Sequence, residues 1–116
     1  EYEGFSSFNR RFMEIMIPPL SQKLGFKFNA ITRIKANMYP RTETLQIHPW
    51  HVDSNEKTQM GALLMMNTCD GFTGFSDGTQ VDTIENRMVL FDATERHHST
   101  NCTNDQFRMT ININYV

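Results

Sequence analysis

Residues 30–39 read AITRIKANMY, and the alternation in this stretch decides the fold class. Ile31 (or Ala30), Ile34, Ala36 and Met38 fall on one side, and Arg33, Lys35, Asn37 and Tyr39 on the other. Side chains two apart share a face of an extended chain, so a half-buried β-strand is expected. The last nine residues, RMTININYV from Arg108 to Val116, repeat the pattern. There Arg108, Thr110, Asn112 and Asn114 oppose Met109, Ile111, Ile113 and Tyr115; in a half-exposed sheet such a polar face is simply solvated. Between these ends, Met60 to Met66 is a nearly continuous apolar run, as in a strand covered on both faces. Gly71 to Phe75 and Thr79 to Ile84 flank a Ser76-Asp77-Gly78 turn, Arg87 to Phe91 adds a strand, and Thr42 to Ile47 extends the pairing. About seven or eight short strands at this spacing point to a sandwich or barrel, with a Greek-key double sheet as the best fit.

Ahead of the strands, Phe8, Phe12, Ile15 and Met16 fall at helical spacing behind a cap at Ser6 or Ser7. Pro18-Pro19 should end or kink that helix, leaving Leu20 to Leu24 as a second short helix stopped by Gly25. The expectation is one domain over residues 1–116, with a helical front at 6–25 and a β core at 26–116. A formal net charge of −2, without a basic run or stripe, provides no electrostatic case for nucleic acid. No apolar stretch approaches the roughly 20 residues that span a bilayer. Cys69 and Cys102 sit among polar, turn-rich residues; they are able to pair, but two free thiols of a reducing cytosol are the expected state. Asn101-Cys102-Thr103 matches a glycan acceptor, a pattern common by chance. The chain opens at Glu1 rather than methionine, which leaves upstream residues and a removed targeting segment open; the cytoplasm is the expected compartment.

The chemistry concentrates in His51-Val52-Asp53 and, far along the chain, His97. On an extended segment His51 and Asp53 present an imidazole and a carboxylate to one point. A distant histidine completes a two-histidine, one-carboxylate set that holds a divalent metal and leaves one face open. His48 is an alternative ligand, but an extended chain points it away from Asp53. His97 and His98 are adjacent and face opposite sides of a strand, so only one ligates, and His97 is preferred. His98 then supports the site or lines its entrance. Arg108, with a hydroxyl two residues on at Thr110, fits bidentate capture of a carboxylate. Burial of that arginine without an anionic partner would imply an acid ligand. Tyr39 is a second group able to hydrogen-bond the same carboxylate. Trp50, and the face of Arg33 and Lys35, either border a substrate opening or belong to ordinary packing.

These residues resemble the 2-oxoglutarate- and Fe(II)-dependent dioxygenases, in particular their prolyl-hydroxylase-like branch in its compact phage and bacterial form. The resemblance runs from about Arg33 to Val116. It rests on Met38-Tyr39-Pro40, His51-Val52-Asp53, Gly71 to Phe75, Asn86 to Phe91, His97 and Arg108-Met109-Thr110. It implies a double-stranded β-helix, or jelly-roll, core. It further implies Fe(II) on His51, Asp53 and His97, and 2-oxoglutarate held by Arg108, Thr110 and Tyr39. Molecular oxygen would be the oxidant, ascorbate a reductant, and an unactivated C–H bond of a prolyl residue or small amino-acid-like molecule the target. Succinate and carbon dioxide would be released in the cytoplasm of a bacterium or phage-infected host. Arg96 departs from the pattern, standing where many relatives carry proline. Two other classes compete: a cupin-like metal-binding jelly roll without oxygenase chemistry, and a structural β-sandwich in which His51 and Asp53 are a surface pair.

Overall fold

The structure is a computed structural model that describes residues 7–25 and 27–116, with side chains from Arg10 onward. It divides between Ala30 and Ile31 into two compact units. The first contains helix α1 (Ser7–Leu24), which runs through Pro18 and Pro19 without the expected break. The prolines remove the amide hydrogens that would bond the carbonyls of Glu14 and Ile15. Both of those residues are exposed, where water can satisfy the freed carbonyls. The helix ends as expected at Gly25, whose φ of 78° is left-handed and whose amide donates to the Ser21 carbonyl at 2.9 Å. Ser6 and the side chains of Ser7 and Phe8 lie outside the described residues.

The second unit is a mainly β jelly roll of seven strands: β1 (Ile31–Pro40), β2 (Met60–Met65), β3 (Phe72–Phe75), β4 (Gln80–Asp82), β5 (Met88–Asp92), β6 (His97–His98) and β7 (Phe107–Tyr115). They form a four-stranded sheet in the order β1-β7-β2-β5 and a three-stranded sheet in the order β4-β3-β6, with antiparallel neighbours throughout. β2 is the buried apolar run that was expected. β3 and β4 close around Gly78, whose φ of 92° is accessible to glycine and strained for most other residues. Thr42 to Ile47 is not a strand. Thr42 Oγ1 donates to the Thr44 carbonyl, a local turn bond, and Ile47 keeps a single bridge to Thr100.

Register carries the functional consequence. β1 and β7 pair Tyr39 with Arg108, Asn37 with Thr110, Lys35 with Asn112 and Arg33 with Asn114. The two polar faces read from the sequence therefore lie side by side. The face on β7 is not solvated, since Arg108, Thr110, Asn112 and Asn114 are all buried, as are Ile111, Ile113 and Tyr115 opposite them. A central strand has neighbours on both edges and cover on both faces, and its polar side chains must find partners inside. Leu63, Met65, Phe75 and Phe91 form the apolar core beside them.

Both cysteines are free, as expected, but buried. Asn101 is no glycan acceptor as folded. Its side chain is buried, donates to Thr42 Oγ1 at 2.6 Å and the Pro40 carbonyl at 3.3 Å, and accepts from the Gln46 amide at 2.8 Å.

Candidate metal centre

His51 and His97 are brought together by backbone pairing. Each amide donates to the other residue's carbonyl at 2.9 Å, an antiparallel bridge that sets the imidazoles side by side with centroids 4.4 Å apart. Asp53, two residues beyond His51, turns to the same point. Its Oδ1 lies 3.5 Å from His51 Nε2 and 3.2 Å from His97 Nε2. The ligand-capable atoms of the three residues lie within 4.8 Å of one another. His48 and His98 stand outside this group. His48 packs on the Tyr39 ring at 4.7 Å, while His98 packs on Trp50 at 4.5 Å and Phe72 at 5.7 Å. Trp50 is half-exposed and is not part of the core.

The surroundings hold each donor in position. His97 Nδ1 meets the Glu95 carbonyl at 2.8 Å, which can only accept, so this nitrogen carries the proton and Nε2 faces Asp53. His51 Nδ1 makes the same kind of contact with the Pro49 carbonyl at 3.2 Å. Asp53 Oδ2 accepts from Asn112 Nδ2 at 2.8 Å and Asn114 Nδ2 at 3.0 Å, leaving Oδ1 toward the histidines. Burial opposes ionisation of Asp53, but hydrogen bonds from His97, Asn114 and Asn112 outweigh it and hold the carboxyl well below the usual carboxylate range. Burial likewise works against a charged His97. The Asp53 and Glu95 contacts prevail and raise its pKa.

Two imidazoles and one carboxylate, with both free Nε2 atoms converging on Oδ1, suit a divalent first-row metal. A second observation agrees. Asn112 Oδ1 is buried without a hydrogen-bond partner, because the carboxylate beside it dictates which end of the amide faces Asp53. A carbonyl oxygen held there suits a donor such as a metal-bound water. The residues present fit the ion.

Arg108 lies in the same inter-sheet space and is fully buried, at 0% exposure. Its Nε donates to Thr83 Oγ1 at 2.7 Å, Nη2 to Thr73 Oγ1 at 2.9 Å, and Nη1 to the Thr100 carbonyl at 3.0 Å and to Ser99 Oγ. Every one of these acceptors is neutral, and among the described residues no carboxylate pairs with it. A guanidinium carries five N–H donors, so one hydrogen on Nη2 is left over. Burial lowers the Arg108 pKa, while burial first and then the nearby Arg108 and His98 lower that of His48.

Two openings meet this centre. A cavity of about 50 Å3 between the sheets is lined by Tyr39, His51, Thr73, His97, Ser99 and Thr110, among others. A larger groove of about 310 Å3 takes in Arg33, Lys35, Asn37, Tyr39, His51, Asp53 and Asn112. Of the expected site residues, Tyr39, His51, His97 and Thr110 line the smaller cavity, and Tyr39, His51 and Asp53 the larger groove. Arg108 lines neither and meets the smaller cavity only through Thr73 and Ser99. Sequence reasoning missed Asn112 and Asn114 as holders of Asp53, and Thr73, Thr83 and Ser99 as partners of Arg108. Only the alternation of the last strand pointed toward the two asparagines.

No family model matches the chain, and no curated protein does. Solved structures do. A cupin protein from Bacteroides fragilis superposes with a TM-score of 0.56 at 10% identity, over 83% of this chain and 72% of its own. A prolyl-4-hydroxylase from Pseudomonas putida superposes with a TM-score of 0.54 at 14% identity, over 99% of this chain and 69% of its own. At such identities the likeness is one of fold, a cupin-like jelly roll carrying a His-Asp-His group that could hold a metal.

Proposed function

We propose that this chain is a non-haem Fe(II)- and 2-oxoglutarate-dependent oxygenase that hydroxylates an unactivated C–H bond of a prolyl residue or small amino-acid-like substrate. One observation carries the reading beyond metal binding: Arg108 is a wholly buried cation without a carboxylate partner among the described residues. An unpaired buried charge is costly, and an acid ligand is what relieves it. Two of its hydrogen-bond partners, Thr73 and Ser99, line the cavity that also takes in His51 and His97. The fold it shares with a prolyl-4-hydroxylase is consistent with this reading.

His51, Asp53 and His97 would hold Fe(II) through Nε2, Oδ1 and Nε2. The metal would compete with a proton for His97 Nε2, since a ligating imidazole must be unprotonated at that nitrogen. Asn112 and Asn114 orient the carboxylate, and the Glu95 carbonyl fixes the His97 ring. Arg108, behind Thr73 and Ser99, would set a positive potential toward the cavity that Thr110 and Tyr39 also line, for the carboxylate of the keto acid. Leu63 and Phe91 line the same cavity and limit water there. With both bound, the iron and keto acid supply oxidative decarboxylation to succinate and carbon dioxide coupled to hydroxylation.

A second reading, cupin-like metal binding without oxygenase chemistry, draws on the four neutral acceptors that already surround Arg108. Oxygen-dependent release of labelled carbon dioxide from C1-labelled 2-oxoglutarate separates the two. The oxygenase reading expects release that requires added Fe(II) and stops in His97→Ala. Iron bound at full occupancy with no release would leave the cupin-like reading in its place.

A further inference from the structure

The groove that opens on Asp53 has an electrostatic character that the chemistry above does not use. Arg33 and Lys35 line it beside His51, Asn37 and Asn112, and Asp53 is its only acidic residue. Neither cation forms a salt bridge among the described residues. Arg33 reaches only the side-chain oxygen of Asn114, at 3.5 Å. Strand register puts Lys35 directly across from Asn112 and Arg33 across from Asn114, the two amides that hold Asp53. Cross-strand partners stand about 5 Å apart, so the two cations lie one strand away from the metal carboxylate. With a metal ion compensating Asp53, the groove is left with uncompensated positive charge.

We infer that this groove receives an anionic substrate, whose carboxylate or phosphate pairs with Arg33 and Lys35 while a carbon a few bonds away faces the metal. The inference rests on the oxygenase reading and adds to it the charge class of the substrate. Lysine and arginine side by side on an edge strand are commonly only a solvated face. Here both side chains line the same groove as two of the three metal-site residues, and among the described residues Asp53 is the only acidic side chain in that lining. The spacing favours a compact acid, because the anion and the reacting carbon must both fit within one strand separation or little more.

Binding of two matched probes to the Zn(II)-loaded full chain tests this, read from amide shifts in two-dimensional NMR at low salt without keto acid. N-acetylglycine carries the carboxylate, N-acetylglycinamide is its neutral counterpart, and inorganic phosphate is a third probe. The wild-type protein should bind N-acetylglycine about tenfold more tightly than the amide, and Arg33→Gln/Lys35→Gln should abolish that preference. Phosphate binding tighter than N-acetylglycine, and equally lost in the double variant, would identify a phosphorylated substrate as the source of the anion. Equal affinity for acid and amide would overturn the inference, as would a preference that survives the double substitution. So would loss of 2-oxoglutarate binding in the double variant, since the two cations would then be holding the cosubstrate. Both residues are exposed, so the variant should keep the wild-type fold, and Lys35→Gln alone provides a milder check. Failure of the oxygenase reading itself would look different: no keto acid binding in the wild-type protein, whatever the probes do.

Discussion

Replacing Arg108 with methionine separates a structural tie from a ligand anchor. Methionine keeps an unbranched side chain of similar reach and removes the charge. The guanidinium makes four hydrogen bonds, each worth about 1.5–3 kcal/mol for a charged donor, or roughly 6–12 kcal/mol in gross terms. Against this stands its removal from water without a counter-ion, which costs several kcal/mol, together with the loss of side-chain freedom. Thr83 Oγ1 keeps its own bond to the Gly71 carbonyl, and the other hydroxyls can rotate toward new acceptors. The terms largely offset, so Arg108→Met should change the stability of the ligand-free protein by no more than about 2 kcal/mol. Keto acid binding should suffer far more. Truncating one side of a buried charged pair costs about 2–5 kcal/mol, which raises Kd roughly 30-fold to several thousand-fold. Thermal melting of Zn(II)-loaded protein with and without 2-oxoglutarate reads both quantities. At a hundred times its Kd the keto acid should add about 2.7 kcal/mol to the wild-type protein, an upward shift on the order of 10 °C, and nothing measurable to the variant. Equal shifts in both proteins would refute the carboxylate role. A variant already unfolded without ligand would show the guanidinium to be a structural tie.

Asp53→Asn should abolish tight Zn(II) binding in calorimetry while preserving the fold, because the amide keeps the shape but loses the anionic ligand. Asn112→Ala should leave the ligands intact yet weaken metal affinity about 10- to 100-fold by freeing the Asp53 carboxylate to turn. The pH dependence should differ with and without metal. The depressed Asp53 pKa contributes stability above the ordinary carboxylate value that is lost as pH falls through its lowered value. The raised His97 pKa contributes stability below 6.5 that fades as pH rises through its elevated value. Metal competes with a proton for the His97 nitrogen, so affinity should rise across the same upper window; a pH-independent affinity would contradict that competition. Gly71→Ala should cost stability, on the order of 1–3 kcal/mol in denaturant titration, since its methyl group would stand 2.3 Å from the Asn101 carbonyl oxygen and 2.6 Å from Arg108 Cδ.

The strands were legible wherever period two was clean. AITRIKANMY became β1, the final alternation became β7, and the Met60 run became a strand buried on both faces. The metal group was legible because two of its members lie two residues apart on extended chain, while the third sits on a short strand that folds back against them. Asn112 and Asn114 were not legible as carboxylate holders. A polar alternation looks the same whether it meets water or a buried Asp53, and only the closing of the sheets decides which. The cradle of Arg108 was hidden for a similar reason. Thr73, Thr83 and Ser99 come from three separate segments, and no local pattern marks hydroxyls that converge only in the fold. Thr42 to Ile47 read as an extension of the strand pairing, but the Thr42 hydroxyl closes a turn instead. Pro18-Pro19 read as a break because proline removes hydrogen bonds. The helix tolerates the loss where the freed carbonyls lie on an exposed face.

The central claim is that His51, Asp53 and His97 hold iron with an open face on which a keto acid chelates. Anaerobic titration of the metal-free protein with Fe(II) and then 2-oxoglutarate tests it most directly. The account predicts a weak visible charge-transfer band that grows with the keto acid, saturates at one equivalent of iron and is absent in His97→Ala. Iron that binds without any band, or a band that survives His97→Ala, would contradict it.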